Sequence, residues 1–157
     1  MSALPSQSRY IIGTEACERF SFYGMKSILM LYMTGHLLMS DNWATSTLHI
    51  FVGMVYLLPL AGAWLADKVW GRYKTILYIS LLYCVGHGVL ATADLFHTIE
   101  ARRYILMAGL FIIALGAGGI KPCVSAFMGD QIPNKSPQLM TKAFNAFYCA
   151  INLGSFF

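Results

Sequence analysis

The chain has 157 residues, of which 57% are hydrophobic and only 11% charged, with a net charge of +4. A soluble domain carries about 25% charged residues, so the composition points to a bilayer as solvent. The small basic excess fits residues at a membrane edge rather than nucleic-acid binding. The cysteines, Cys17, Cys84, Cys123 and Cys149, lie unpaired in apolar segments and read as small core residues, not a disulfide or metal framework.

A helix needs about 20 mostly apolar residues to cross ~30 Å of hydrocarbon. Four stretches meet that length, roughly residues 10–39, 47–66, 75–96 and 104–128, and a fifth begins near 140. The first is not a signal peptide, because acidic residues fall where an uninterrupted apolar core belongs. With a cytoplasmic N-terminus, Arg9, Lys68, Arg72, Lys74, Lys135 and Lys142 lie inside, against Arg102 and Arg103 outside. That is the positive-inside bias, and the reverse orientation inverts it. "SDNWATS" reads as a short turn, "DKVWGRYKT" as a basic cytoplasmic loop, "DLFHTIEARR" as an external loop and "GDQIPNKSPQ" as a cytoplasmic one. The fifth helix stops after "INLGSFF", so the chain is expected to be the N-terminal piece of a larger protein. A stand-alone five-helix subunit is the other reading.

"TEACERFSFYGMK", residues 14–26, places charge inside the first apolar run. At about 100° per residue, Glu15, Glu18, Arg19, Phe22, Tyr23 and Lys26 fall within roughly 140° of one another. The stripe must face a protein interior or a water-filled cavity, since a lipid-exposed charge at mid-membrane costs about 2.5 kcal/mol or more. At ~1.5 Å rise per residue, Lys121 of the fourth span sits at the depth of Glu15–Arg19. It is therefore a plausible partner for one glutamate while Arg19 pairs with the other. Lys26 lies higher and has no acid in reach, so its anionic partner is expected from a ligand or a missing segment. A purely structural ion-pair cluster is the plain alternative.

Other positions carry weaker signals. His49, near the external end of the second span, suits an outward-facing proton acceptor. His36 and His87 read as packing or polar-contact residues. Lys121 is followed by Pro122 and preceded by Gly116, Gly118 and Gly119, the pattern of a bendable, closely packed helix that carries a charge. Trp43 and Trp70 read as anchors at opposite membrane edges. A membrane enzyme using Glu15 and Glu18 as an acid–base pair is not expected, because no nucleophile, metal cluster or cofactor loop accompanies them.

Four motifs in order resemble one family. Glu15-Ala16-Cys17-Glu18-Arg19-Phe20 is similar to the ExxER motif of the proton-coupled oligopeptide transporters, the POT or PTR family. "GAWLADKVWGRYKT", residues 62–75, resembles the helix 2–3 loop of the major facilitator superfamily. "GGIKPCVSAFMGDQ", residues 118–131, resembles the family's fourth-helix signature, and "FYCAINLGS", residues 147–155, its FYxxINxGS signature. The resemblance implies an all-α membrane protein with the major facilitator fold. This chain would supply transmembrane helices 1–4 and the start of helix 5, part of the N-terminal six-helix bundle.

It implies proton-driven symport of di- and tripeptides by alternating access, with nitrate or another small anion as the alternative cargo on the same fold. Glu15, Glu18, Arg19 and His49 would couple protons. Lys26, Lys121, Tyr23, Tyr56 and Asn152 would hold the peptide. Asp67, Gly71 and Arg72 would form a cytoplasmic gating loop. Lys26 stands where the family usually has Arg, keeping the charge but losing the bidentate fork, and Phe22 where it often has Tyr. No enzyme activity, metal or cofactor is expected, only protons as the coupling ion. The expected partners are peptide, lipid bilayer and the C-terminal bundle of the same protein. The expected location is the cell membrane, bacterial inner or eukaryotic plasma, multi-pass with the N-terminus cytoplasmic.

Overall fold

In hydrocarbon every backbone N–H and C=O must be satisfied within its own segment, which selects helices. A computed structural model describes residues 4–156, and among these the chain runs through six α-helices with no strand. They are α1 (Ser6–Leu31), α2 (Asp41–Leu57), α3 (Pro59–Leu65), α4 (Arg72–Ala91), α5 (Ile99–Asp130) and α6 (Pro137–Gly154). Met1–Ala3 and Phe157 lie outside the described residues. Among the described residues three stretches are long and apolar enough to cross a membrane: Asp41–Trp70, Arg72–Leu95 and Ile99–Asp130.

Apart from α3, which lies within the second run, each helix begins before its apolar run. The expected turn "SDNWATS" is mostly helical, because the Ser40 hydroxyl caps α2 by accepting from the Trp43 N–H at 3.4 Å and Asp41 sits in the first turn. "IEARR" likewise belongs to the start of α5, so Arg102 and Arg103 are helical residues. Pro59 separates α2 from α3, since its ring removes a backbone donor. Wider turns extend α1 over Tyr32–His36 and α3 over Ala66–Trp70. The second of these ends at Gly71, whose φ of 78° and ψ of 158° are open essentially to glycine alone.

The chain divides into two compact units, one formed by residues up to Ser27 together with those from Val124, the other by Ile28–Cys123. In the second unit α5 is the spine: its Leu106, Leu110, Ile113, Ala114, Ala117 and Ile120 are buried, whereas Asp41–Trp70 and Arg72–Leu95 are mostly exposed. Missing side chains set the spacing there. A Cβ on Gly62 would stand 2.4 Å from the Gly119 carbonyl oxygen, and one on Gly116 would stand 2.6 Å from Tyr83 Cβ. Such contacts let helices meet backbone to backbone. Phe51, Val55, Ile79 and Ile113 fill the core around them.

One end of this unit is tied by polar contacts. Tyr32 Oη donates to Asp94 Oδ1 at 3.0 Å, and His36 Nε2 lies 3.1 Å from the same oxygen. Arg102 Nε donates to the Phe96 carbonyl at 2.7 Å. Arg103 donates to the carbonyls of Leu37 and Leu38 and lies 5.1 Å from the Trp43 ring centroid. His36 is thus exposed and makes a polar contact, one of the two roles its sequence position suggests. In the first unit, Phe22, Met128, Ala143, Phe147 and Ala150 are buried. Of the cysteines only Cys123 is buried, its thiol 3.7 Å from the Gly62 carbonyl. Cys17, Cys84 and Cys149 are exposed, because apolar helices built for lipid present small apolar residues outward as readily as inward.

Candidate functional site

Glu15, Glu18 and Arg19 are all buried, at 6%, 9% and 5% exposure. Helical spacing brings them together: Glu15 and Arg19 are four residues apart and share a face, with Arg19 Nε 3.3 Å from Glu15 Oε1. The same guanidinium is paired with Glu18 Oε2 through both Nε and Nη2. Phe22, buried one turn on, lays its ring 5.5 Å from Arg19 Cζ and meets Tyr23 edge-on at 5.5 Å. An apolar lid over a guanidinium strengthens the field its carboxylates feel. Two carboxylates and one guanidinium sum to −1.

Sequence reasoning did not single out Gly154, which positions this triad. A Cβ there would meet the Ala16 carbonyl oxygen at 2.6 Å, Arg19 Cβ at 2.9 Å and the Phe20 amide nitrogen at 3.1 Å. The end of α6 therefore rests directly on the turn of α1 that carries the three charges. The glycine in "INLGS" was the available signal, but hydropathy gives it no weight.

The remaining residues divide between the units. In the first, Tyr23 and Lys26 are half-buried on the triad's stripe, and Lys26 makes no ion pair among the described residues. Asn152 is exposed, and its Nδ2 donates to the Tyr148 carbonyl at 2.9 Å. In the second unit, Lys121 is half-buried on α5 and its Nζ lies 4.8 Å from the Tyr56 ring centroid, a cation–π contact with an otherwise exposed tyrosine. His49 is exposed on α2, two turns before Tyr56. Asp67 and Gly71 are exposed and Arg72 half-buried at the α3–α4 turn. The structure thus brings together Glu15, Glu18 and Arg19 in one unit, and Tyr56 with Lys121 in the other. No cluster of three or more His, Cys, Asp or Glu able to hold a metal occurs among the described residues.

The chain as a whole is similar to known proteins. The POT family model matches residues 73–157, more than half of the chain. Peptide transporter family 1 of Drosophila melanogaster is 47% identical over 153 residues, covering 96% of this chain and 20% of that protein. Solute carrier family 15 member 2 of Homo sapiens is 42% identical over 156 residues, covering 98% and 21%. The crystal structure of the POT family transporter PepTSo matches with a TM-score of 0.87 at 48% identity, covering 99% of this chain and 31% of that one. The chain spans about a fifth of the length of these curated relatives. Helices, motifs and family match agree, and the chain belongs to the POT family of membrane transporters, with the all-α major facilitator fold.

Proposed function

We propose that this chain supplies the first helices of a proton-driven symporter of di- and tripeptides. The observation that carries the reading is the buried Glu15–Glu18–Arg19 triad, in which one guanidinium pairs with two carboxylates. A proton arriving from outside, first on His49, neutralises one glutamate and loosens its hold on Arg19. Lys121 then changes partner between a glutamate and the peptide. Lys26 and Lys121 face the peptide carboxylate, and Tyr23, Tyr56 and Asn152 bond its backbone, so that side chains go largely unread. Asp67, Gly71 and Arg72 bias the closing of the cytoplasmic side. The C-terminal bundle of a longer transporter supplies an acid for the peptide amine. No covalent bond is made or broken, so neither an enzyme nor a cofactor is invoked, only protons. The protein works in the cell membrane with its N-terminus cytoplasmic. Supporting this reading are the peptide-transporter names of the relatives and the placement of ionisable groups inside apolar helices, which marks proton and substrate paths.

The test uses the full-length transporter in liposomes. An inward proton gradient is expected to concentrate a labelled dipeptide. Accumulation of nitrate in its place would transfer the function to small anions. Glu18→Gln is expected to abolish concentrative uptake while leaving peptide exchange within about threefold of wild type, since neutralisation mimics the protonated state. Concentrative uptake that survives Glu18→Gln removes Glu18 from the coupling.

A further inference from the structure

The α3–α4 turn sits beside an apolar groove of about 320 Å³ that the transport reading leaves unused. Leu58 and Leu65 form one wall, Tyr78 and Leu82 the other, and Gly62 and Gly119 the floor. The floor lies deep because Gly62 and Gly119 meet backbone to backbone, with no side chain to raise it. From Leu58 to Trp70 the groove follows 12 residues of chain, roughly 18 Å at helical rise. That is close to the roughly 15 Å of hydrocarbon in one leaflet.

Its mouth changes character in the order a phospholipid does. Trp70 and Tyr78 meet edge-on at 5.5 Å, both about half exposed, as rings at the headgroup level are. One turn before Tyr78 on the same face of α4 stands Lys74, and Lys68 stands in the turn itself. Both lysines are exposed, and neither makes an ion pair among the described residues. Asp67 is the single acid of the turn against three bases, Lys68, Arg72 and Lys74. Cations, then aromatic rings, then an apolar trough one leaflet long match a phosphate, a glycerol backbone and an acyl chain.

We infer that this groove binds an anionic phospholipid, its acyl chain along α3 and α4 and its phosphate on Lys68 and Lys74. The placement in the cytoplasmic leaflet, where anionic lipids concentrate, rests on the orientation proposed above.

The test is native mass spectrometry of the detergent-purified full-length transporter with phosphatidylglycerol or phosphatidylcholine of identical chains. Phosphatidylglycerol is expected to bind about 30-fold more tightly, the preference two surface lysines supply. The pair Lys68→Gln and Lys74→Gln is expected to bring it to the phosphatidylcholine level. Ala61→Phe, which fills the groove from its exposed side, is expected to weaken both lipids. Equal binding of the two lipids by wild type, a preference that survives the lysine changes, or lipid binding unaffected by Ala61→Phe would overturn the inference. So would protection of Ala61→Cys from a lipophilic maleimide in lipid-stripped protein, because another part of the transporter would then cover the groove. Dipeptide uptake measured on the same preparations separates the two ideas: lost uptake with an intact lipid preference counts against the transport reading alone.

Discussion

Arg19 is held from every side that α1 offers it. Glu15 and Glu18 take its donors, Phe22 covers it, and Gly154 presses on its Cβ. Removing it alone leaves two buried carboxylates without their common partner, a change that costs about 3–5 kcal/mol. Arg19→Ala is therefore expected to lower the thermal midpoint of the purified full-length transporter sharply. Glu15→Gln, Glu18→Gln and Arg19→Gln together carry no charge and are expected to restore most of that midpoint, but not gradient-driven uptake. If the triple variant still concentrates peptide, the triad is structural. The stripe itself was legible in the sequence, because spacing of three and four fixes a helix face. Its depth of burial was not, since that depends on Gly154, more than 130 residues away in sequence.

Among the helices, α2, α4 and α5 begin at Asp41, Arg72 and Ile99, ahead of the apolar runs read from residues 47, 75 and 104. The runs were read by hydropathy, whereas caps, prolines and interfacial residues set where a helix starts. Arg102 and Arg103 show the consequence. As sequence they were two external cations opposing the positive-inside bias. In the fold they lie in the first turns of α5 and reach back more than 55 residues, Arg102 towards His36 and Arg103 to the Leu37 and Leu38 carbonyls. Backbone acceptors leave no trace in side-chain patterns, so this tie could not be read beforehand. It needs the planar fork of arginine, which Lys lacks. Arg103→Lys is expected to cost about 1 kcal/mol locally, after allowing for solvent. Hydrogen exchange should report it as about fivefold faster opening of amides 37–39, with amides near Ile79 and Tyr83 unchanged. Equal protection in both variants would mean the two carbonyls gain nothing from the guanidinium. At the opposite end of the unit, Gly71→Ala forces a side chain into a backbone region that costs about 1–3 kcal/mol. The expected result is a lowered thermal midpoint and a changed ratio of inward to outward peptide exchange, the second of which simple loosening of the turn would not produce.

For the molecule as a whole, composition alone selected the bilayer and four ordered motifs selected the family. The membrane class was legible because hydrocarbon tolerates few charges, and the few it tolerates stand out. Family membership was legible because each motif lies on a helix or loop where its chemistry is useful. The proposed substrate contacts rest on resemblance alone. Tyr23, Tyr56 and Asn152 have no physical signature in sequence that separates them from other polar residues of an apolar helix.

The glycines carry a further consequence, one that belongs to genetics. Hydropathy treats them all alike, yet two populations stand apart among them. A Cβ would come within 3.0 Å of backbone or of a neighbouring Cβ at Gly62, Gly86, Gly116, Gly118 and Gly154, and would meet nothing within 4 Å at Gly13, Gly24, Gly53, Gly88 and Gly129. A saturation screen of the full-length gene, scored by growth on a dipeptide as nitrogen source, should split along that line. Alanine alleles of the first group are expected to be depleted, because overpacking costs about 1–3 kcal/mol, and those of the second to persist. Among chance variants of such a gene, damaging ones would then arise by adding a single methyl group to a residue that has no side chain at all.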